Sequence, residues 1–245
     1  MQAVGSGRWL RRVSVLMASL VLAACASQQG SPSTSAHPAV MTQQVQSSMT
    51  AEQALQLLKD GNARFVSGKG GAHDLPAQVL ATGKNGQFPF VSIVSCIDSR
   101  SSPSLVFDLG IGDAFNARVA GNVINEDILG SLEYASKVAG AKLIVVLGHT
   151  SCGAVKGACD NIALGNLSGL LAKIRPAVNA TSDTKGADRS SHNYAFVDAV
   201  AENNVKRMVQ AVQDRSPILR EMAANNQVKI VGAMLDVKTG EVKFY

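Results

Sequence analysis

The 245-residue sequence is poor in aromatic side chains, which make up only 4% of it, and its single tryptophan is Trp9. With 46% hydrophobic residues, a large core is still affordable, but it must be built mainly from aliphatic side chains. No apolar run is long enough for a lasting transmembrane helix: the longest candidate, Val13 to Leu22, falls well short of the roughly 20 residues a bilayer requires. A strong excess of positive charge is also lacking. The formal net charge is +5, but Arg8, Arg11 and Arg12 precede that apolar run. Setting aside those three arginines from the 23 basic and 18 acidic residues leaves +2, which excludes a nucleic-acid footprint. There is no internal period of about 20 to 50 residues, so no solenoid or propeller is expected. Cysteines number four, Cys25, Cys96, Cys152 and Cys159, and setting Cys25 aside leaves an odd number, which fits a metal site better than a disulfide framework.

What is present begins with a charged stretch, a short apolar run and small residues, the pattern of a secretory signal over residues 1–24. Its ending, Leu22-Ala23-Ala24-Cys25, resembles a bacterial lipobox. The resemblance implies cleavage before Cys25, lipidation of its sulfur, and attachment to the membrane through several acyl chains, which anchor far better than one. Ala26 at the next position implies outer-membrane sorting, so the expected location is the cell envelope, facing the periplasm. Residues 25–49, rich in Ser, Gln, Thr, Ala and Pro, read as the anchor and a flexible tether. A domain is expected over residues 50–245.

That domain opens on a helix. Thr50-Ala51-Glu52-Gln53 fits a capping box, and Ala54, Leu55, Leu58 and Phe65 recur at helical spacing up to about Gly68. Gly70-Gly71 then starts a loop. Beyond it, apolar runs alternate with helical patterns. Strands are expected before Cys96, from Phe115 to Val119, before His149, and from Lys229 to Leu235. Helices are expected with apolar faces of Ile128, Leu129, Leu132, Ala135 and Val138, from Gly153 towards Leu164, from Tyr194 to Val212, and briefly from Pro217. This order implies an α/β fold, a mostly parallel sheet flanked by helices with an N-terminal helical arm.

The chemistry lies on two expected strand tips. Cys96-Ile97-Asp98-Ser99-Arg100 follows one strand and His149-Thr150-Ser151-Cys152-Gly153 follows another. Ligands and metals bind at such carboxyl ends in open parallel sheets. Two thiolates and an imidazole provide three of the four positions of tetrahedral zinc, and a fourth left to water marks a catalytic ion. The alternative is a Cys96–Cys152 disulfide with His149 incidental. Cys159, two helical turns beyond Cys152, reads as a small inert hydrophobe. Asp98 has two possible roles. It either closes the metal shell as a fourth ligand or pairs with Arg100, whose guanidinium matches a carboxylate as a fork, and leaves that position to water.

Cys96-x-Asp98-x-Arg100 followed by His149-x-x-Cys152-Gly153 resembles the β-class carbonic anhydrases. The likeness runs from about Thr50 to Tyr245 and includes Gly110-Ile111-Gly112-Asp113-Ala114-Phe115, Arg118-Val119-Ala120-Gly121-Asn122 and Gly130-Ser131-Leu132-Glu133-Tyr134-Ala135. It implies reversible hydration of carbon dioxide to bicarbonate and a proton by hydroxide on one Zn²⁺ per chain, held by Cys96, His149 and Cys152, with Asp98 and Arg100 as the catalytic dyad. It implies that Gln87 hydrogen-bonds the substrate and that Gly153 offers it a backbone N–H. Phe115 and Tyr134 match apolar residues of a cleft at a dimer interface, so a homodimer or a dimer of dimers is expected, each site needing both protomers. His73 and His192 are the candidate proton shuttles.

Two departures from the family pattern matter. Ser101-Ser102-Pro103-Ser104 stands where members often carry Val-Pro and then an acidic residue. The tryptophan that bicarbonate-inhibited members use is missing from the domain, which implies a site with water on zinc and Asp98 off it. Two other readings use the same residues: a hydrolase of carbon disulfide or carbonyl sulfide on this scaffold, and a lipoprotein that stores zinc or cycles Cys96 and Cys152 as a disulfide.

Overall fold

A computed structural model describes residues 40–182 and 187–245. The signal, Trp9, Cys25 and the lipobox lie outside the described residues. The two apolar runs that precede the cysteine and histidine tips form β1 (Val91–Ser95) and β3 (Leu143–His149), every residue of which is buried. Such continuous burial is what a parallel strand covered on both faces requires. With β2 (Ala114–Arg118), β4 (Lys229–Leu235) and β5 (Val242–Phe244) they make one sheet in the order β2-β1-β3-β4-β5. The first four strands are parallel and β5 is antiparallel to β4.

Alternation along β1 sends its side chains to two cores, as the two-residue period of a strand demands. Val91 and Ile93 pack with Leu57 and Leu58 of α2 (Ala51–Val66) and with Val106 and Phe107 at the end of α4 (Pro103–Val106). Val94 and Cys96 face the other core, built from Val155 of α6 (Gly153–Cys159), Leu171 and Ile174 of α7 (Gly165–Ala180), and Val197, Val200 and Val205 of α8 (Tyr194–Arg215). The α2 start matches the capping box, with Gln53 N–H donating to Thr50 Oγ1 and Thr50 N–H donating to Gln53 Oε1. Further along, α2 crosses the end of α4 so closely that a Cβ on Gly61 would lie 1.9 Å from the Phe107 carbonyl oxygen.

Several elements depart from the sequence-based expectation. The end of the segment expected to be tether, from Val40 onward, belongs to the folded body: helix α1 (Gln43–Ser48) precedes α2, and Met41 and Gln46 are buried. Gln46 is a buried polar residue that no periodicity reveals. Its amide donates to the carbonyls of Pro89 (2.7 Å) and Ala139 (2.8 Å), which offsets its desolvation. The loop expected after Gly71 contains α3 (Leu75–Asn85), capped by Asp74 with Pro76 in the first turn. Helix α7 follows where the α6 pattern was expected to end the helical run, and β5 was not foreseen. Val138, expected on an apolar face with Ile128, is 71% exposed. The reason is local: α5 (Glu126–Glu133) runs into a wider π-helical turn at Tyr134–Val138, which rotates the later residues off the helical stripe. Pro217 opens α9 (Pro217–Ala224) as expected.

Candidate metal centre

Register brings the two strand tips together. Ser95 at the end of β1 pairs with Leu147 of β3, so Cys96 and His149 emerge side by side from adjacent strands. Cys152 caps α6, which turns back over the tip, and Ser151 before it takes a left-handed φ of 58° with its N–H held by Asp198 Oδ1 at 2.6 Å. One donor atom each from Cys96, His149 and Cys152 lies within 4.8 Å of the others, and all three residues are buried. The two sulfurs are 4.0 Å apart, far beyond a disulfide bond and close to the roughly 3.8 Å that two Zn–S bonds of about 2.3 Å subtend in a tetrahedron.

The imidazole supplies the test of fit. His149 Nδ1 lies 2.9 Å from the Thr150 carbonyl oxygen, which can only accept, so the ring proton belongs on Nδ1. Nε2 is therefore a bare lone pair, and it is buried with no hydrogen-bond partner. A buried nitrogen left unsatisfied beside two sulfurs is what a metal ligand presents in the absence of its ion, and the carbonyl behind the ring is the usual device for fixing the ligating tautomer.

The electrostatics agree. The hydrogen bond from the Cys152 thiol is the largest influence on Cys96 and, against burial, helps to bring its thiol down to about 4; His149 and the Gly121 N–H act in the same sense. That same hydrogen bond, with burial, pushes Cys152 well above the ordinary thiol range. Burial is the largest influence on His149 and works against its charged form, but Cys96, the Thr150 carbonyl and Asp98 together raise the imidazole.

Asp98 and Arg100 form the expected fork. Arg100 Nε donates to Oδ1 at 3.0 Å and Nη2 to Oδ2 at 2.8 Å, and the Arg100 backbone N–H adds a third bond at 2.9 Å. The guanidinium is the main cause that holds the Asp98 carboxyl well below the usual carboxylate range. Asp98 Oδ2 also lies 3.9 Å from His149 Nε2. The carboxylate thus borders the cluster formed by Cys96, His149 and Cys152. The turn carrying it is held from behind. Arg118 Nε donates to the Cys96 carbonyl (3.0 Å) and Nη2 to the Asp98 carbonyl (2.6 Å). Ser101 Oγ, buried, lies 3.3 and 3.0 Å from the same two oxygens and shares its single proton between them.

Other sequence-predicted residues lie elsewhere. Gly153 is exposed at the start of α6, beside Cys152. Phe115 and Tyr134 meet edge to face, with ring centroids 6.1 Å apart, in an open groove of about 780 Å³ lined also by Ser92, Ala117, Asp127 and Ser131. This groove lies along β2, at the sheet's edge. Phe115 is in register with Ser92, four residues or about 13 Å down β1 from Cys96. Gln87 is exposed beyond the start of β1, with its Cβ near Gly112, at the opposite end of the sheet from the thiols. His73 is bonded to Asp108 through Nε2 at 2.9 Å, and His192 is exposed in the loop before α8. Cys159 is partly buried against the second core, as expected of a small hydrophobe, and burial raises its thiol.

Four residues that support the site were not singled out from sequence. Arg118 and Gly121 lie in a stretch noticed only for its family likeness, and Ser101 was noticed only as a departure from the family pattern. The fourth, Asn204, carried a signal that could have been used: a carboxamide between Ala201 and Val205 on the otherwise apolar stripe of α8.

Residues 91–242 match the family model described as carbonic anhydrase. Carbonic anhydrase 2 of Mycobacterium tuberculosis is 36% identical over 187 residues, covering 76% of this chain and 89% of that protein. Among solved structures, the β-carbonic anhydrase CafA of Aspergillus fumigatus superposes with a TM-score of 0.62 at 27% identity, covering 79% of this chain and 89% of CafA. The tetrameric β-carbonic anhydrases of Sordaria macrospora share the fold, with a TM-score of 0.60 at 24% identity over 76% of this chain and 93% of theirs.

Proposed function

Because the chain belongs to the β-class carbonic anhydrases, an assignment carried by the family match and the buried Cys96–His149–Cys152 donor set, we propose how its own residues divide the work. The enzyme catalyses the zinc-dependent, reversible hydration of carbon dioxide to bicarbonate. Zinc bound there acts as a Lewis acid that makes water a nucleophile near neutral pH. Cys96, Cys152 and His149 hold it through Sγ, Sγ and Nε2. Asp98, turned towards the site by Arg100, would accept a hydrogen bond from the nucleophile and orient it, a role that its pairing with Arg100 supports over that of a fourth ligand. Gly153 offers a backbone N–H beside Cys152. Stopped-flow hydration by the full chain, with zinc content determined, tests this division. Activity that tracks zinc and collapses in Asp98→Asn, with zinc retained, supports it; an Asp98→Asn enzyme of unchanged rate refutes the dyad.

We further propose that the working unit is a homodimer, or a pair of them, closed across the β2 edge. Within one chain, Gln87, Phe115 and Tyr134 lie too far down the sheet to reach the metal. A two-fold copy set antiparallel against that edge would bring the start of one β2 beside the metal end of the other. The groove of one protomer would then hold substrate for the partner's zinc. Mixing a Cys152→Ser chain with a chain carrying Phe115→Ala and Tyr134→Ala tests this. Each is inactive alone, but the mixed dimer regains one complete site, and absence of complementation after exchange would refute it.

The Leu22-Ala23-Ala24-Cys25 ending supports attachment of Cys25 to lipid and a periplasm-facing place at the outer membrane. Palmitate labelling that is lost in Cys25→Ala, with fractionation of the two membranes, tests both. Among the described residues, no helix is long and apolar enough to cross a membrane.

A further inference from the structure

The side chain of Asn204 is fully buried in the middle of α8, among Val200, Ala201, Val205 and Met208. A carboxamide in such surroundings is costly unless it is hydrogen-bonded, so its partner identifies what it is for. The partner is the Gly121 carbonyl oxygen, 2.9 Å from Asn204 Nδ2 and 83 residues away in sequence. A carbonyl only accepts, so the orientation of the amide is fixed by chemistry. On the other side of the same residue, the Gly121 N–H donates to Cys96 Sγ at 3.4 Å.

Gly121 is the residue in the tip that can most easily turn. Its φ of +67° lies in the left-handed region, where glycine moves between conformations at little cost. It is also wedged in: a Cβ there would stand 2.5 Å from Ile174 Cδ1 and 3.3 Å from Ala154 Cβ, so no bulkier residue can impose the geometry. The turn is held from within by the Asn122 N–H, which donates to the Val119 carbonyl (2.9 Å), and from outside by Asn204; both grip the peptide unit that follows Gly121.

We propose that Asn204 is a positioning residue of the metal centre, which holds the peptide plane that follows Gly121 and so limits the rotation of this glycine, keeping its N–H aimed at the Cys96 sulfur. That hydrogen bond draws electron density from the thiolate and fixes its direction, the kind of support that outer partners give to ligands. The proposal rests on Cys96, His149 and Cys152 as zinc ligands.

The test uses the full chain with zinc, cobalt or cadmium bound. Asn204→Leu keeps the branched shape and removes the donor. It should weaken zinc affinity about 10- to 100-fold in competition with a chelator and move the cobalt–thiolate charge-transfer band, while circular dichroism stays unchanged. A folded Asn204→Leu with unchanged affinity and band would overturn the proposal and leave Asn204 as a mere partner for a buried carbonyl. If Asn204→Leu does not fold, Asn204→Ser is read in the same way. In the unmodified chain loaded with NMR-active cadmium, the Gly121 amide proton should show coupling to the metal through its hydrogen bond to sulfur. Absence of that coupling overturns the proposal without any variant. If the unmodified chain binds no zinc at all, the ligand assignment itself fails, which is distinguishable from both results.

Discussion

Replacing Arg100 by glutamine removes the fork that aims Asp98. Two charge-assisted hydrogen bonds are lost, each worth about 1.5–3 kcal/mol where well formed. The Arg100 side chain is 52% exposed, so water and salt screen much of that, and about 1–2 kcal/mol is a better figure for the net hold on the carboxylate. If orientation of Asp98 matters only in the transition state, kcat/KM should fall by roughly 5- to 30-fold. The shape of the pH profile carries a second, independent expectation. Asp98 has a depressed carboxyl in the folded enzyme, and losing Arg100 returns it towards the ordinary value of about 4. Across pH 6.5 to 9 it therefore remains ionised in both proteins. The profile should lose height at every pH without a new acid limb. Stopped-flow measurements over that range, with zinc content checked, decide the matter. Full activity in Arg100→Gln would refute the orienting role, and a loss confined to the acid end would mean that Arg100 acts by keeping Asp98 ionised.

The remaining predictions concern the frame. Arg118→Gln should free the Cys96 and Asp98 carbonyls and lower kcat/KM about 10-fold with zinc retained, by misplacing the carboxylate; an unchanged rate would show that Ser101 alone holds the turn. Gly61→Ala should destabilise the fold by about 3 kcal/mol in denaturant unfolding, because its Cβ meets the backbone oxygen of Phe107, which no side-chain rotation can relieve. Asp108 is 9% exposed and bound by Arg64, His73 and the Gly71 N–H, and although burial works against it these partners depress its carboxyl. Its stabilisation is complete above the unfolded value near 4 and fades as pH falls through the folded value. Asp108→Asn should thus cost about 1–2 kcal/mol at pH 7, discounted for the 35% exposure of Arg64, and the gap to the unmodified protein should narrow below pH 4.

Much of this enzyme was legible in the chain alone, because its chemistry sits in two short runs whose local structure is self-specifying. Runs as apolar as Val91 to Val94 and Leu143 to Leu147 must be buried strands, and a polar cluster just beyond each must lie at an end of the sheet. The thiols, the imidazole and the Asp98–Arg100 pair could therefore be assigned to one place before any coordinates. The helices α3 and α7 could not, since their stripes are weak and their sequences carry glycine and proline that read as loop or helix end. Nor could the placing of Met41, which joins the core under β1, or of Gln46, whose amide is satisfied only by the carbonyls of residues 89 and 139.

What only the tertiary structure decided is how the donors are supported. Two sulfurs 4.0 Å apart, a bare His149 Nε2, the Arg118 and Ser101 hold on one turn, and an Asn204 amide 83 residues from the glycine it grips are relations between elements distant in sequence. The same holds for Gln87, Phe115 and Tyr134: their residue types are plain in the sequence, but only the sheet reveals that they stand at its far end, where a single chain cannot use them. Short-range periodicity encodes which residues are buried and which end a strand. It carries no record of which buried polar group meets which, because that is fixed by packing across the core.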